Sequence, residues 1–454
     1  MDADTIFAVA SGAGQAAIAV MRISGPATRP VLAGLCGRVP PPRRASLRRL
    51  RDADGGELDR AMVLWLPGPG SYTGEDSAEL YLHGGRSVLH GIADALVASG
   101  ARPAEPGEFT RRAFLHGRMD LTEAEAVHDL VAAETTAQRR QALRQLDGAL
   151  GTIYRGWADR LRLLLAEQEA LIDFPDEDLP PEVEARVLGE LAALHGEVAA
   201  HLNDNRRGER LREGLVFAVT GPPNVGKSSL VNALAERDVA IVSPRPGTTR
   251  DALETRVVLG GVPVTLVDTA GLREATDEIE AEGVRRARAR AAEADLVIAV
   301  SAHDPLLPCG PLLPCGDDVA GDNGDSPKNG DDEINPAPHH LLVANKRDLG
   351  GTIPAGAISI SARTGEGLNE LRARLAEAAR SLTESAGAPP LTQARHRAAL
   401  LEAAARLTGA QTADLPELRA EDLRLALRAL GRITGSVGVE DILDTLFARF
   451  CIGK

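Results

Sequence analysis

Short apolar runs separated by Gly and Pro occupy residues 1–118: TIFAVA, AIAVMRIS, AMVLWLP and AELYLHG, followed by the helically spaced SVLHGIADALVAS. Runs of this length bounded by turn residues predict strands, and with the helix they predict a small α+β domain. At Asp120 the pattern changes. DLTE offers an N-cap with Glu123 three residues on, and apolar positions then recur at helical spacing to about Leu150. Two further helices are predicted, roughly Ile153–Ile172 and Glu182–Leu202, so residues 119–212 read as a helical layer. Over residues 213–379 strand and helix patterns alternate, which predicts a parallel sheet covered on both faces. Beyond the linker SAGAPPLTQ, residues 380–454 return to helices. Helical stretches on both sides of an α/β unit predict that the unit is inserted into one discontinuous helical domain. Two separate bundles are the alternative, and the pattern does not choose.

Length adds little beyond this: 454 residues predict about three domains. The hydrophobic fraction of 44% is that of a globular chain, and no run approaches the ~20 apolar residues of a membrane span. With no basic flank before the first apolar stretch, the expected location is the cytoplasm and no membrane partner is expected. The four cysteines, Cys36, Cys309, Cys315 and Cys451, form no CxxC pair, so free thiols are expected. A formal charge of −14 argues against gripping nucleic acid by bulk electrostatics. Part of that charge is local, because residues 303–340 hold eight acids and one lysine. Residues 1–118 hold fourteen arginines against twelve acids, which leaves room for a local basic surface. Residues 303–338, rich in Asp, Gly, Pro and Asn, are expected to be a disordered acidic surface insertion.

The chemistry begins at Gly221-Pro-Pro-Asn-Val-Gly-Lys-Ser228, a GxxxxGKS loop preceded by the apolar LVFAVT and followed by the helix-forming SLVNALAE. Backbone N–H groups of such a loop and the following helix N-terminus hold polyphosphate. Lys227 is expected on the β- and γ-phosphates and Ser228 on Mg²⁺. Three further elements follow in order. VPVTLVDTAG ends a strand in Asp268, placed to act on Mg²⁺, with Gly271 beyond it. LLVANKRD ends a strand at Asn345-Lys-Arg-Asp348, whose carboxylate can accept from the N1–H and N2–H₂ edge of guanine. AISISAR ends in Ser361-Ala362-Arg363, a backbone clamp for the base carbonyl. Together these predict a GTP site. Its expected contacts are Asn224, Val225, Gly226, Lys227, Ser228, Ser229, Asp268, Thr269, Ala270, Gly271, Asn345, Lys346, Asp348, Ser361, Ala362 and Arg363. Between the loop and Asp268 lies a first-switch segment, Ser243, Pro244, Arg245, Pro246, Gly247, Thr248 and Thr249, followed by Arg250-Asp251.

In Ras-like proteins a Gln after the DxxG glycine orients the attacking water and an Arg finger neutralises charge. Here that position is Leu272, which does neither. Asn224, inside the phosphate loop, either seats a monovalent cation or merely tolerates the turn. Glu274, Asp277, Glu278 and Glu280 offer carboxylates for the water, and position does not choose among them.

Over its whole length the chain resembles the MnmE (TrmE) family of bacterial tRNA modification GTPases. The resemblance rests on AVMRISGP, SYTGEDSAEL-YLHGG, PGEFTRRAFLHGRMDLTEAEAV, GPPNVGKSSLVNAL, PGTTRD, VDTAGLREATDEIEAEG and FARFCIGK. It implies an N-terminal folate-binding and dimerisation domain (1–118), a discontinuous helical domain (119–212 and 380–454) and an inserted Ras-like P-loop GTPase domain (213–379). It implies a homodimer that joins a flavin-containing partner (MnmG/GidA) in a heterotetramer. That complex would add a carboxymethylaminomethyl or aminomethyl group to carbon 5 of the wobble uridine, U34, of certain tRNAs. The one-carbon donor would be 5-formyltetrahydrofolate or a related tetrahydrofolate, and GTP hydrolysis would depend on K⁺-driven pairing of G domains. Carried over by residue, K⁺ falls on Asn224, Ser243, the main chain of Arg245 and Thr248, Mg²⁺ on Ser228 and Thr249, and the water-orienting carboxylate on Glu280. Folate falls on Arg22, Glu79, Arg118 and Lys454, and the family's C-terminal cysteine on Cys451. Ser243 replaces an expected Thr, two prolines flank Arg245, Arg118 replaces the more usual Lys, and the 303–338 insertion is long. A ribosome-assembly or purely regulatory GTPase switch is the alternative function.

Overall fold

The computed structural model describes residues 4–12, 14, 16–173, 181–237, 254–268, 294–302, 339–351, 353–384, 388–438 and 440–453. The chain divides into two compact units. One comprises residues 1–131, 142–202 and 395–454, the other 132–141 and 203–394.

The first unit contains a six-stranded sheet built from β1 (Ile6–Val9), β2 (Ala16–Ser24), β3 (Ser46–Arg51), β4 (Glu57–Leu66), β5 (Ser77–Gly84) and β6 (Arg102–Pro103). The strand order is β3-β4-β5-β2-β1-β6, antiparallel except where β6 joins β1. Period-2 alternation decides its faces. Ala61, Val63 and Trp65 of β4, with Ala78, Leu80 and Leu82 of β5, point to one buried side. There they pack with Val31, Leu32 and Leu35 of the helix Thr28–Cys36 and with Ile92 and Leu96 of the helix Arg86–Ala98. The opposite side carries Leu47, Met62 and Tyr81, which stay exposed, and the partly buried Arg22 and Glu79. β3 escapes the hydrophobic pattern because its six residues, SLRRLR, contain two leucines, of which only Leu50 is buried.

The same unit holds the helices Ala149–Asp173, Pro181–Leu202, Pro416–Thr434 and Glu440–Phe447, with nearly all of Leu121–Ala132 and Ala394–Thr412. The capping box at Asp120 forms as its spacing predicts: Glu123 N donates to Asp120 Oδ1 at 2.9 Å, and Asp120 N donates to Glu123 Oε2 at 2.8 Å. The single helical run to Leu150 does not form. It breaks into Leu121–Ala132 and Thr136–Leu146, and the next helix starts at Ala149. The cause of the first break is a second capping box. Gln138 N donates to Thr135 Oγ1 at 3.2 Å while Thr135 N donates to Gln138 Oε1 at 3.1 Å, which starts a new helix. The Ala149–Asp173 helix buries Leu150, Tyr154, Trp157, Leu161 and Leu164 and packs on Pro416–Thr434. At the start of Ala394–Thr412, Arg395 donates to both oxygens of the buried Glu125 (2.5 and 2.8 Å), and His396 Nε2 lies 2.8 Å from the second oxygen. Burial works to raise the pKa of Glu125. The Arg395 and His396 charges overcome that and hold it at about 2.

The second unit is built on β7 (Leu215–Thr220), β8 (Glu254–Leu259), β9 (Val262–Asp268), β10 (Leu296–Ala302), β11 (His339–Asn345) and β12 (Ile358–Ser359), in the order β12-β11-β10-β7-β9-β8. All neighbours are parallel except the β8–β9 hairpin, so the sheet is parallel with one antiparallel edge. β9 is buried at every residue, the signature of a strand covered on both faces. The helices Lys227–Arg237 and Leu368–Thr383 supply Leu230, Leu234, Leu371 and Leu375 to the core. The sequence boundaries at 213 and 379 differ from those of this unit, which also includes the helix Arg207–Glu213 and the segment up to Ala394.

Candidate functional site

β7 lies where the sheet order reverses, with β9 on one side and β10 on the other. In open α/β sheets that position leaves a crevice beyond the carboxyl ends of the strands. The chain leaves β7 through Gly221, whose φ is +142° and where an added Cβ would meet the Val300 carbonyl oxygen at 2.1 Å. Only glycine lets the loop turn this close to β10. Asn224 follows with φ +64° at the exposed crest of the loop. The helix Lys227–Arg237 then begins inside the motif, so its first N–H groups face the loop.

Lys227 is buried, and its ammonium donates to the carbonyls of Gly221 (2.8 Å) and Pro222 (2.7 Å). This holds a positive charge at the loop. Ser228 Oγ donates to Asp268 Oδ2 at 2.5 Å, bringing a hydroxyl from the helix start against a carboxylate from the end of β9. Two hard oxygen donors converging beside a phosphate-type loop fit Mg²⁺.

The base-side residues form a second, linked group. Asn345, at the end of β11, donates from Nδ2 to the Val225 carbonyl (2.9 Å). Its Oδ1 accepts from Lys346 N (2.8 Å) and Ala362 N (3.0 Å). One buried amide thus fastens the phosphate loop, the Asn-Lys-Arg-Asp turn and the Ser-Ala-Arg turn together. Asp348 Oδ1 accepts from Ser361 Oγ at 2.6 Å, and Arg363 sits 2.6 Å from Oδ2. The Ser361 hydroxyl, then the Arg363 charge, hold the Asp348 carboxyl below the usual carboxylate range. Sequence reading gave Ser361 and Arg363 only a backbone role. The structure adds their side chains as the groups that orient Asp348.

The structure therefore brings together Asn224, Val225, Gly226, Lys227, Ser228, Ser229 and Asp268, and joins to them Asn345, Lys346, Asp348, Ser361, Ala362 and Arg363. Ser243, Pro244, Arg245, Pro246, Gly247, Thr248, Thr249, Thr269, Ala270, Gly271 and Glu280 lie outside the described residues, as do Lys454 and the 303–338 insertion.

A second constellation lies in the first unit. Register pairs Arg22 of β2 with Glu79 of β5, and the guanidinium reaches Glu79 Oε1 at 3.0 and 3.2 Å. It lies 5.4 Å from the ring centre of Tyr72 and 5.7 Å from that of Phe109, and donates to the Gly453 carbonyl at 3.4 Å. Tyr81 OH donates to the other oxygen of Glu79 at 2.9 Å. Arg118 and Cys451 are exposed; Arg118 packs its stem against Gly74. Tyr72, Phe109 and Tyr81 were not among the sequence candidates, although SYTGEDSAEL and PGEFT contain two of them. Among the described residues no group of three or more His, Cys, Asp or Glu could hold a metal ion, and no helix is long and apolar enough to cross a membrane.

Comparison with known proteins matches both units. A family model described as the MnmE helical domain matches residues 121–451, and one described as the GTP-binding protein TrmE N-terminus matches residues 5–118. The chain is 61% identical to the tRNA modification GTPase MnmE of Gluconacetobacter diazotrophicus over 99% of this chain and 98% of that protein. It is 55% identical to the protein of the same description from Granulibacter bethesdensis and 54% to that from Rhodospirillum rubrum. Both comparisons cover 100% of either chain.

Proposed function

The chain belongs to the MnmE family of tRNA modification GTPases, and from that premise we propose that it is the GTP-hydrolysing component of the complex that modifies carbon 5 of the wobble uridine, U34. The observation that carries the GTP half is the anchored Asp348. With Ser361 and Arg363 fixing its carboxylate, it presents acceptors that a guanine edge satisfies and an adenine edge does not. Lys227 and the loop N–H groups hold the β- and γ-phosphates. Ser228 and Thr249 would hold Mg²⁺, with Asp268 orienting those ligands, and the ion would supply charge neutralisation. Asn224, Ser243, the main chain of Arg245 and Thr248 would hold K⁺, which would supply the charge of an Arg finger, and Glu280 orients the attacking water. Hydrolysis then requires two G domains to pair.

For the tRNA half, Arg22, Glu79, Arg118 and Lys454 hold 5-formyltetrahydrofolate, the one-carbon donor. Glu79 suits this role because its carboxylate, aligned by Arg22 and Tyr81, can accept paired hydrogen bonds from an aminopyrimidine ring. The proposed assembly is a homodimer with a flavin-containing partner, MnmG/GidA. Nucleoside mass spectrometry of tRNA from a strain lacking the gene tests the reading. Loss of the carbon-5 group from U34, restored by the wild-type chain but not by an Asp348→Asn chain, is the expected result. An unchanged nucleoside profile would leave a GTPase without the proposed tRNA role.

A further inference from the structure

Residues 5–51 contain eight arginines and not one Asp or Glu, in a chain whose formal charge is −14. Much of that positive charge collects at one place. β3 is the outermost strand on its side of the N-terminal sheet. Its alternation sends Leu50 into the core and leaves Arg49 and Arg51 exposed. Register sets Arg49 directly opposite Arg60 of β4, which is also exposed. Like charges facing each other across a strand pair are destabilising, whereas register sets Arg51 opposite Glu57, a favourable pair. Arg60 Nε donates to Glu57 Oε1 at 2.5 Å. Arg60, then Arg49 and Arg51, hold the Glu57 carboxyl below its ordinary range. The nearby Asp52 is turned into the hairpin, where Oδ1 accepts from Gly56 N at 2.6 Å. Over residues 43–60 six arginines stand against four acids, Asp52, Asp54, Glu57 and Asp59, a surplus of two positive charges along this strip. The exposed Arg43 and Arg44 extend the strip ahead of the strand.

We propose that this edge, formed by Arg49, Arg51 and Arg60, binds the phosphate backbone of RNA, and that it is where the N-terminal sheet meets the tRNA. The inference rests on the tRNA reading above. Guanidinium groups match phosphate oxygens in a two-point geometry, and a basic strip on an otherwise acidic protein directs a polyanion to one surface.

The test is fluorescence anisotropy of an end-labelled tRNA transcript titrated with full-length protein between 50 and 200 mM salt. Arg49→Gln/Arg51→Gln is expected to weaken binding at least tenfold at the lower salt. It should also flatten the slope of log K against log salt by about 1.5–2, corresponding to two phosphate contacts. Arg374→Gln, whose guanidinium is already paired with Glu377, is expected to change neither, and GTP hydrolysis should be unaltered in all variants. Equal affinity and slope in the double variant would overturn the proposal, as would failure of the wild-type chain to bind the transcript. A shift in self-association, read by sedimentation, with unchanged tRNA binding would assign the edge to a contact between copies and equally overturn it. Failure of the tRNA reading itself shows up separately, as an unchanged U34 nucleoside in the deletion strain.

Discussion

Asn345 donates from its side-chain amide to the carbonyl of Val225, 120 residues earlier, and so ties the end of β11 to the phosphate loop. Because the same side chain also accepts from Ala362 N, it sets the distance between the base-reading turns and the phosphate-holding loop. Asn345→Ala leaves the Val225 carbonyl and the Ala362 N–H without that partner. Unmade hydrogen bonds of buried groups cost about 1–3 kcal/mol each. Affinity for GDP and for GTP, measured by mant-nucleotide fluorescence, is expected to fall together by at least tenfold.

Asp348→Asn acts on the base alone. Replacing one acceptor oxygen by an amide NH₂ is expected to weaken GTP binding by ~1–3 kcal/mol and to favour xanthine nucleotides, which offer an acceptor at the altered position. Competition between GTP and XTP reads this directly. Unchanged GTP preference would remove Asp348 from the role of base reader.

Glu280→Ala separates chemistry from binding. Leu272 cannot orient water, and the proposed carboxylate stands eight positions on. A fall in kcat of ~10²-fold with little change in nucleotide affinity is expected of a group acting in the transition state. The same assay in K⁺ and in Na⁺ tests Asn224, Ser243, Arg245 and Thr248: hydrolysis should be fast only in K⁺.

The Glu125–Arg395–His396 cluster predicts a pH effect. Burial opposes the charged form, but the two cations win and depress Glu125 to about 2 from its ordinary 4.5. The unfolded chain therefore binds this proton more readily than the folded one. The associated stability is fully present above about pH 4.5 and is lost as pH falls toward 2. Glu125→Ala strands Arg395 and is expected to cost about 3–5 kcal/mol, as breaking buried ion pairs does. Urea unfolding at pH 7 and at pH 3 should show a smaller gap between wild type and variant at the lower pH.

Much of the second unit was legible because its signals are local. Each of GPPNVGKS, VDTAG, NKRD and SAR sits at the end of an apolar run, so strand and functional turn are read in one glance. The helix start at Asp120 was legible for the same reason. The break at Thr135 was not, since Thr-x-x-Gln competes with an unbroken helical apolar pattern and wins through two hydrogen bonds. β3 stayed hidden because arginine at alternate positions looks like a loop until β4 pairs with it. Nothing local says that Arg22 meets Gly453, or that Arg363 turns from the base clamp to Asp348.

Gly453 supplies a further prediction. Its φ is +94°, and an added Cβ would meet the Val9 carbonyl oxygen at 2.5 Å. Gly453→Ala is expected to displace the carbonyl that Arg22 holds and to weaken 5-formyltetrahydrofolate binding, measured by calorimetry, about tenfold. GTP affinity should not move.

The Arg22–Gly453 contact also has a timetable. Glu79 follows Arg22 by 57 residues, but the carbonyl that completes the guanidinium shell follows by 431. At ~5–20 residues per second, the ribosome delivers that carbonyl roughly 20–90 s after Arg22 itself. A nascent chain can fold the N-terminal sheet and pair Arg22 with Glu79 while its helical and nucleotide-binding parts are still unmade. Its Arg22 nonetheless lacks the Gly453 carbonyl until translation has passed everything between. Completion of the Arg22 hydrogen-bond set thus reports that synthesis has run through Gly453, and a chain truncated earlier would carry Arg22 and Glu79 without that carbonyl.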